Sequence, residues 1–158
     1  MTSQAHVFRA AVTVAALFTA SVALAQPAAS PLSAYSYTDC SATNAPQVRV
    51  VLFTGTVPAA LPASAPTPAV HLIFNGTADK LATTPITITA DAIKGGPNAA
   101  ALSCPVVGDC VPAQSGTVTV SRGADGSITG QYSAQWPIGP PRMNRFTAPW
   151  RESNKKCG

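Results

Sequence analysis

Charged side chains are scarce in this chain of 158 residues, and so are the residue types that usually carry catalysis. Asp, Glu, Lys and Arg make up 10% of the sequence, and Glu152 is the only glutamate. The aspartates are scattered singly, so nothing supports the paired carboxylates that glycoside hydrolysis requires. Zinc and copper sites need more His, Cys or Met side chains than this sequence has available as ligands, and there is no Gly-rich phosphate loop. We therefore expect no cofactor and no metal.

Histidine is almost absent, since His71 is the only one that follows Ala25. Nucleophilic and general-base mechanisms often use histidine, but no G-x-S-x-G motif or other local context selects a serine to pair with it. We expect His71 to be a solvent-facing residue of a strand. A small hydrolase that uses His71 is the second alternative to a non-enzymatic binding module.

The segment from Met1 to Ala25 has the pattern of a secretory signal peptide, in a style typical of bacteria. Arg9 precedes an apolar run, and the triplet Ala23-Leu24-Ala25 places small residues before a cleavage site after Ala25. The run is too short and too diluted by Ala, Ser and Thr to match a membrane span of about 20 apolar residues. The sequence predicts a secreted or periplasmic protein with no membrane span in the mature chain. The alternative is an uncleaved N-terminal anchor helix.

Removal of this segment leaves a mature chain from Gln26 to Gly158, which is long enough for one domain with one core. Residues 26–33 are mostly Ala, Pro and Ser and predict a flexible leader. Residues 34–158 are predicted to form a single domain.

Four cysteines follow the predicted cleavage site: Cys40, Cys104, Cys110 and Cys157. An even number in an exported chain predicts two disulfides, and four cysteines allow three pairings. The segment PVVGD between Cys104 and Cys110 contains a proline and a glycine that suit a compact loop. We therefore expect a Cys104–Cys110 bond, which leaves Cys40 to pair with Cys157.

Short runs with β-branched and alternating residues predict strands, and no long amphipathic helix is found in the mature chain. Such runs are SAYSYTDC, QVRVVLFTG, AVHLIFNG and PITITADAI. The clearest signal is SGTVTVSRGADGSITGQYSAQW, in which two alternating runs flank an Asp-Gly turn and predict a hairpin. The segment GGPNAAALS at 95–103 permits one turn of helix after its proline.

Four prolines in TVPAALPASAPTPAV exclude a helix or a central strand there and predict an extended surface loop. Six or seven short strands separated by turns indicate an all-β fold. We predict a small antiparallel β-sandwich with two disulfides, and a small barrel as the alternative.

The loop closed by Cys104 and Cys110 is the first candidate binding feature, with the residues Pro105, Val106, Val107 and Gly108. A loop tied by a disulfide loses little conformational entropy when it docks, so it could present its two valines to a partner, as a protease inhibitor does. The plainer interpretation is a stapled connection between strands.

The basic C-terminal end is the second candidate, with Arg142, Arg145, Trp150, Arg151, Lys155 and Lys156. Cations among aromatic residues can bind a protein or an anionic polymer of the envelope or the extracellular space. No nucleic-acid partner is expected for an exported chain. The alternative is that Trp150 packs inward, as an anchor of a segment tied to Cys40, while the charges keep the surface soluble.

The sequence thus predicts an exported, non-enzymatic binding, structural or accessory module. A secreted protease inhibitor that presents the Cys104–Cys110 loop is the first alternative to it.

Overall fold

Nine strands form one sheet in the computed structural model, which describes residues 32–81 and 83–158. They are β1 (Ser33–Cys40), β2 (Pro46–Phe53), β3 (Ala69–Asn75), β4 (Ile86–Thr89), β5 (Ala99–Val106), β6 (Asp109–Pro112), β7 (Ser115–Arg122), β8 (Ile128–Gln135) and β9 (Arg142–Ala148). Two short 3-10 helices, Ala78–Lys80 and Ala90–Lys94, lie before and after β4. The predicted all-β fold is confirmed.

The predicted signal peptide at 1–25 lies outside the described residues, as does the predicted leader up to residue 31. Leu32 packs against the core and Ser33 begins β1, so these two residues belong to the folded domain.

The sheet follows the order β1-β2-β3-β5-β4-β7-β8-β9, and β6 pairs with β5 beside this path. Neighbouring strands are antiparallel except β4 and β5, which meet in parallel at Ile88 and Ala99. The edge of β5 that faces away from β3 pairs with two strands. β4 pairs near the start of β5, and β6 pairs with the second half of β5.

The two ends of this path meet at Ser36 in β1. The Ser36 amide donates to the carbonyl of Pro149 at 3.0 Å, and the Arg151 amide donates to the carbonyl of Ser36 at 2.7 Å. The Ser36 hydroxyl donates to the carbonyl of Ala148 at 3.1 Å. The sheet is therefore nearly closed, which corresponds to the barrel alternative of the predicted all-β fold.

The inner face of the nearly closed sheet forms the main core. Its most deeply buried members include Val48, Val50, Leu52, Leu72, Ile88, Val118 and Ile128. Trp150 is partly buried against this core, with the Arg122 guanidinium 5.6 Å from its ring centroid. The predicted role of Trp150 as an inward anchor agrees with this packing.

The predicted β7–β8 hairpin is present, and its local chemistry explains the turn. Asp125 accepts hydrogen bonds from the Ser127 amide at 3.0 Å and hydroxyl at 2.6 Å, and Gly126 has a φ of 79°. In β8, a Cβ on Gly130 would lie 2.4 Å from the Thr119 carbonyl oxygen and 2.9 Å from the Phe146 ring. The glycine thus leaves the space that Phe146 occupies in the core.

The helical turn predicted at 95–103 is wrong, because β5 begins at Ala99 and the 3-10 helix precedes it at Ala90–Lys94. The alanines of this segment are buried on both faces of the sheet. Ala101 lies in the main core, and Ala100 packs on the outer face with Ala92 of the 3-10 helix. The small alanine side chains let the 3-10 helix approach the sheet closely. The strand is therefore stabilised by packing on both faces, although its sequence does not alternate between polar and apolar residues.

The proline-rich loop at 54–68 contains no helix or strand, as predicted, but it also covers the outer face of β1–β3. Its residues Val57, Leu61 and Ala65 pack against a buried cluster. The cluster contains Tyr35, Val51, Phe53 and Ala69. Both faces of these strands are therefore buried, one by the core and one by the loop.

Both predicted disulfides, Cys40–Cys157 and Cys104–Cys110, are present. Disulfides of this kind are typical of an oxidising compartment such as the periplasm or the extracellular space. Among the residues described, no helix has the length and apolar character needed to cross a membrane.

The two disulfides should contribute unequally to stability, because they close loops of very different length. For the double variant Cys40→Ser/Cys157→Ser, we expect a loss of about 4.7 kcal/mol in the free energy of unfolding, and for Cys104→Ser/Cys110→Ser about 2.4 kcal/mol. Urea unfolding followed by tryptophan fluorescence measures both. A larger loss for the short bridge would contradict the expectation.

Candidate functional site

A row of polar side chains lies on the outer face of β1, β2 and β3, beneath the proline-rich loop. The pairing register places Tyr37 opposite Arg49 and Val51 opposite His71. Arg49 and His71 are thus diagonal neighbours on adjacent strands, within reach of each other through their long side chains. Asp39 lies on the same face, two residues beyond Tyr37 in β1.

These side chains form a linked chain of contacts that begins at the C-terminal segment. Lys155 Nζ is 2.5 Å from Asp39 Oδ1, and Arg49 Nη2 is 3.0 Å from Asp39 Oδ2. Arg49 Nη1 then lies 3.4 Å from His71 Nδ1. The Asp39 side chain is 7% exposed, so its carboxylate is buried between two cations.

Asp39 is held ionised by its neighbours. Burial by itself would raise the pKa of this carboxyl, but the hydrogen bond from Lys155 and the charge of Arg49 together hold its pKa below the usual value. The buried carboxylate therefore carries its charge at neutral pH and anchors Arg49.

The prediction that His71 faces solvent is wrong, because only 6% of the residue is exposed. Alternation in β3 correctly separates its two faces, yet the outer face is covered as well. Burial and then the positive charge of Arg49 lower the pKa of His71 to about 4, against an opposing effect of Asp39. The imidazole is therefore neutral at neutral pH.

The contact with Arg49 also decides which nitrogen of His71 carries the proton. A guanidinium can only donate hydrogen bonds, so Nδ1 accepts and the proton of the neutral ring lies on Nε2. This arrangement differs from a catalytic triad, in which a carboxylate accepts from the histidine and orients it as a base.

Two buried N–H groups in this row have no hydrogen-bond partner among the described residues: Arg49 Nε and His71 Nε2. Each such donor costs about 1–3 kcal/mol when it is left unsatisfied in the interior. Both groups are donors, so only an acceptor can satisfy them.

A cavity of about 210 Å³ lies next to these two side chains. It is lined by Arg49, Ala65, Thr67, His71, Leu102, Cys104, Val106, Val107, Gly108 and Cys110. The β5–β6 hairpin tied by the Cys104–Cys110 disulfide forms one wall, and the end of the proline-rich loop forms another. We call this space the hairpin cavity.

The hairpin cavity brings together two features that lie far apart in the sequence. Val106 is 55% exposed and Val107 is 71% exposed, as expected for the tip of a disulfide-tied loop. Val106 pairs with Asp109 across a two-residue turn in which Gly108 has a φ of 85°. Pro105 lies in β5 just before this turn and is exposed.

The predicted basic cluster is divided along the last strand. Arg142 stacks 5.2 Å from the Trp136 ring centroid at the start of β9, while Arg151 lies beyond its end and donates from Nε to the Pro58 carbonyl at 2.8 Å. A seven-residue strand spans about 20 Å, so these cations are well separated. Lys155 is paired with Asp39, and both Arg145 and Lys156 are exposed. The cations therefore do not form one continuous patch.

A larger groove of about 560 Å³ lies between the proline-rich loop and the C-terminal segment. It is lined by Tyr35, Tyr37, residues 60–63, Ala65 and residues 152–155. Its lining includes no buried polar atom that lacks a partner in the described part of the chain. The hairpin cavity is smaller, but its lining includes Arg49 and His71, the two residues that each carry a buried polar atom with no partner among the described residues.

Sequence reasoning did not single out Arg49, although one signal was available. Arg49 is a lone charge in the apolar run QVRVVLF, where alternation places it on the same face as Val51 and Phe53. A charge on a face that is otherwise apolar indicates either solvent exposure or a paired, buried group.

Within residues 32–81 and 83–158, no group of three or more His, Cys, Asp or Glu side chains is arranged to hold a metal ion.

No family model, curated protein or solved structure matches this chain.

Burial of a neutral His71 predicts a specific pH dependence of stability. Between pH 6.5 and about 4 the unfolded chain protonates His71 and the folded chain does not, so the free energy of unfolding should fall by up to about 3 kcal/mol as the pH decreases. The stabilisation that comes from keeping His71 neutral is fully present above pH 6.5. At a pH below the usual pKa of an aspartate, Asp39 adds a further loss of stability, because its pKa is lowered in the folded protein and this contribution disappears as the folded state is protonated.

The variant His71→Phe isolates this effect, because it keeps a ring at the position and removes the titrating group. Urea unfolding of both proteins at pH 7, 5.5 and 4.5 measures the slope. We expect the slope over this range to be lost in the variant, and an unchanged slope would contradict the assignment.

Proposed function

We propose that this chain is an exported, non-enzymatic binding module and that its ligand site is the hairpin cavity. The observation that carries the proposal is the cavity itself, whose lining brings the polar residues Arg49 and His71 together with a wall stiffened by a disulfide. Concave sites with an apolar lining and a few convergent polar groups are the usual form of small-ligand sites. The signal-peptide pattern and the two disulfides support export.

The rigidity of the hairpin supports a binding role. The Cys104–Cys110 bond closes a short loop, so Val106 and Val107 lose little conformational entropy when a ligand contacts them. The proline-rich loop opposite them has restricted backbone angles. A site between two stiff walls needs little ordering when a ligand binds.

The protease-inhibitor alternative finds less support in this geometry. A segment that binds in a protease cleft is extended, whereas Val107 and Gly108 form the turn of a hairpin whose flanking residues Val106 and Asp109 are paired. The hydrolase alternative is also weaker, since His71 has a pKa of about 4 and its Nδ1 faces a cation. A basic surface for anionic polymers is less supported because the cations are dispersed.

The proposed site can be tested with small organic fragments. An engineered cavity of about 150 Å³ holds benzene, so ligands of about six to twelve non-hydrogen atoms suit the hairpin cavity. We expect a mixture of such acids, alcohols and amides to shift the amide resonances of Leu102, Val106 and Gly108 in two-dimensional NMR spectra. Fragments that shift no cavity resonance would contradict the proposal.

A matched pair of variants makes the test specific. Ala65 lines the cavity and Ala59 is an exposed residue of the same loop outside it, so Ala65→Leu should weaken fragment binding about tenfold and Ala59→Leu should not change it. Val106→Phe offers a second way to fill the site from the opposite wall. Equal binding by all three variants would show that the fragments bind elsewhere.

A further inference from the structure

A second pocket lies on the outer face of β7, β8 and β9, on a different part of the sheet from the hairpin cavity. It has a volume of about 300 Å³ and is open to solvent. The pairing register places Thr119 opposite Gln131, and Gln131 opposite Arg145. Alternation puts these three side chains on the face away from the core, because their neighbours Val120 and Phe146 are buried in it. We call this space the β8 pocket.

The charge of the β8 pocket comes from one arginine. Among the described residues that line it, Arg145 is the only charged one. Arg145 is exposed, and within residues 32–81 and 83–158 its guanidinium has no ion pair and no hydrogen bond. A long arginine side chain reaches across a strand spacing of about 4.8 Å, so it can place its guanidinium over the neighbouring Gln131. The described lining thus offers one unpaired positive charge and no carboxylate.

Hydroxyl and amide groups make up most of the remaining lining. Ser121 Oγ and Thr129 Oγ1 lie 2.8 Å apart, and their bond uses one of the two hydroxyl protons. Thr119 and Gln131 add a hydroxyl and an amide, which can each donate and accept. Val120 is the one large apolar residue of the described lining, and at 2% exposed it faces the core. The lining therefore suits a ligand with several donors and acceptors, and it disfavours an apolar acid.

We propose that the β8 pocket binds a sugar acid, whose carboxylate accepts from the Arg145 guanidinium and whose hydroxyls exchange hydrogen bonds with Gln131 and Thr119. A carboxylate matches the fork of a guanidinium and can accept two parallel hydrogen bonds from it. The volume is about twice the roughly 150 Å³ that accommodates benzene, which leaves space for one sugar ring with its substituents. One arginine is sufficient for one carboxylate, so the site needs no continuous basic patch. It is also independent of ligand binding in the hairpin cavity.

The closing experiment compares three probes on the full mature protein: methyl α-D-galacturonide, methyl α-D-galactoside and acetate. The two sugars differ only in a carboxylate that replaces a hydroxymethyl group, and acetate carries the charge without the ring. Dissociation constants are taken from NMR titrations at pH 7 that follow the amide resonances of Thr119, Thr129 and Gln131. We expect the galacturonide to bind about tenfold more tightly than either of the other probes.

Each part of the proposal has its own contrary result. Equal or tighter binding of the galactoside would overturn the acid, and equal or tighter binding of acetate would overturn the sugar. If no probe shifts the resonances of the β8 pocket, the site itself is wrong. None of these results changes the expectation for fragments in the hairpin cavity, so the two proposals fail separately.

A pair of charge variants assigns the preference to Arg145. Arg145→Gln should weaken galacturonide binding about tenfold and change galactoside binding by less than about threefold. Lys156→Gln is the control, because it removes an exposed cation outside the described lining and should leave both affinities unchanged. An equal loss in the two variants would indicate general attraction to a basic protein and contradict the assignment.

A second pair tests the hydroxyl groups on a single strand. Thr119→Val should weaken binding of both sugars about fivefold, because valine keeps the shape and removes the hydroxyl. Thr117→Val is the matched control, since Thr117 lies on the same face of β7 two residues away and outside the described lining. Valine favours strands, so both variants should fold, and their amide spectra establish this. Unchanged sugar affinity in Thr119→Val would contradict the role of that hydroxyl.

A sugar acid can be free or part of an acidic polysaccharide, and an oligomer separates these two sources. Because the β8 pocket is open to solvent, a sugar joined to further sugars can enter it. We expect trigalacturonate at physiological salt to bind at least as tightly, per sugar residue, as the methyl galacturonide. Binding of the trimer more than about tenfold weaker would overturn a polysaccharide as the source and assign the pocket to free sugar acids.

Discussion

The Cys40–Cys157 disulfide ties the C-terminal segment to β1, and the arrangement of the outer face depends on this tie. Its attachment point in β1, Cys40, is four residues along the strand from Ser36, whose contacts nearly close the sheet. The same segment brings Lys155 to Asp39, and Asp39 in turn holds Arg49 beside His71. A covalent bond near the end of the chain is therefore connected, contact by contact, to side chains of three adjacent strands, β1, β2 and β3.

Burial of both faces of β1–β3 gives the molecule its candidate site. A sheet in a small all-β protein commonly leaves its outer face in water, where a charge needs no partner. Here the proline-rich loop covers that face, so each polar group on it must find a partner within the protein. Asp39 does so completely, whereas Arg49 and His71 each retain one unsatisfied donor. A cavity lined by these two polar residues and by the disulfide-tied hairpin is the reason for proposing a ligand there.

The parts of the fold that were predictable are those with strong local signals. Alternation on both sides of an Asp-Gly turn identified β7 and β8, and the spacing of Cys104 and Cys110 identified a short bridge. The strand β5 escaped prediction because a run of alanines has no alternation and no strand propensity. Its place in the sheet depends on small side chains fitting between the core and the 3-10 helix at Ala90–Lys94. Arg49 was overlooked because one charge in a strand is more often solvated than paired.

Local sequence was sufficient for the class of fold, the pairing of the cysteines and the two faces of each clear strand, since these follow from side-chain period and chain geometry. The loop at 54–68 has no regular structure, and the way it folds back over the sheet decides which part of the outer face is covered. That depends on long-range contacts that no local pattern encodes. The burial of His71, its contact with Arg49 and the cavity beside them are therefore properties of the tertiary structure alone.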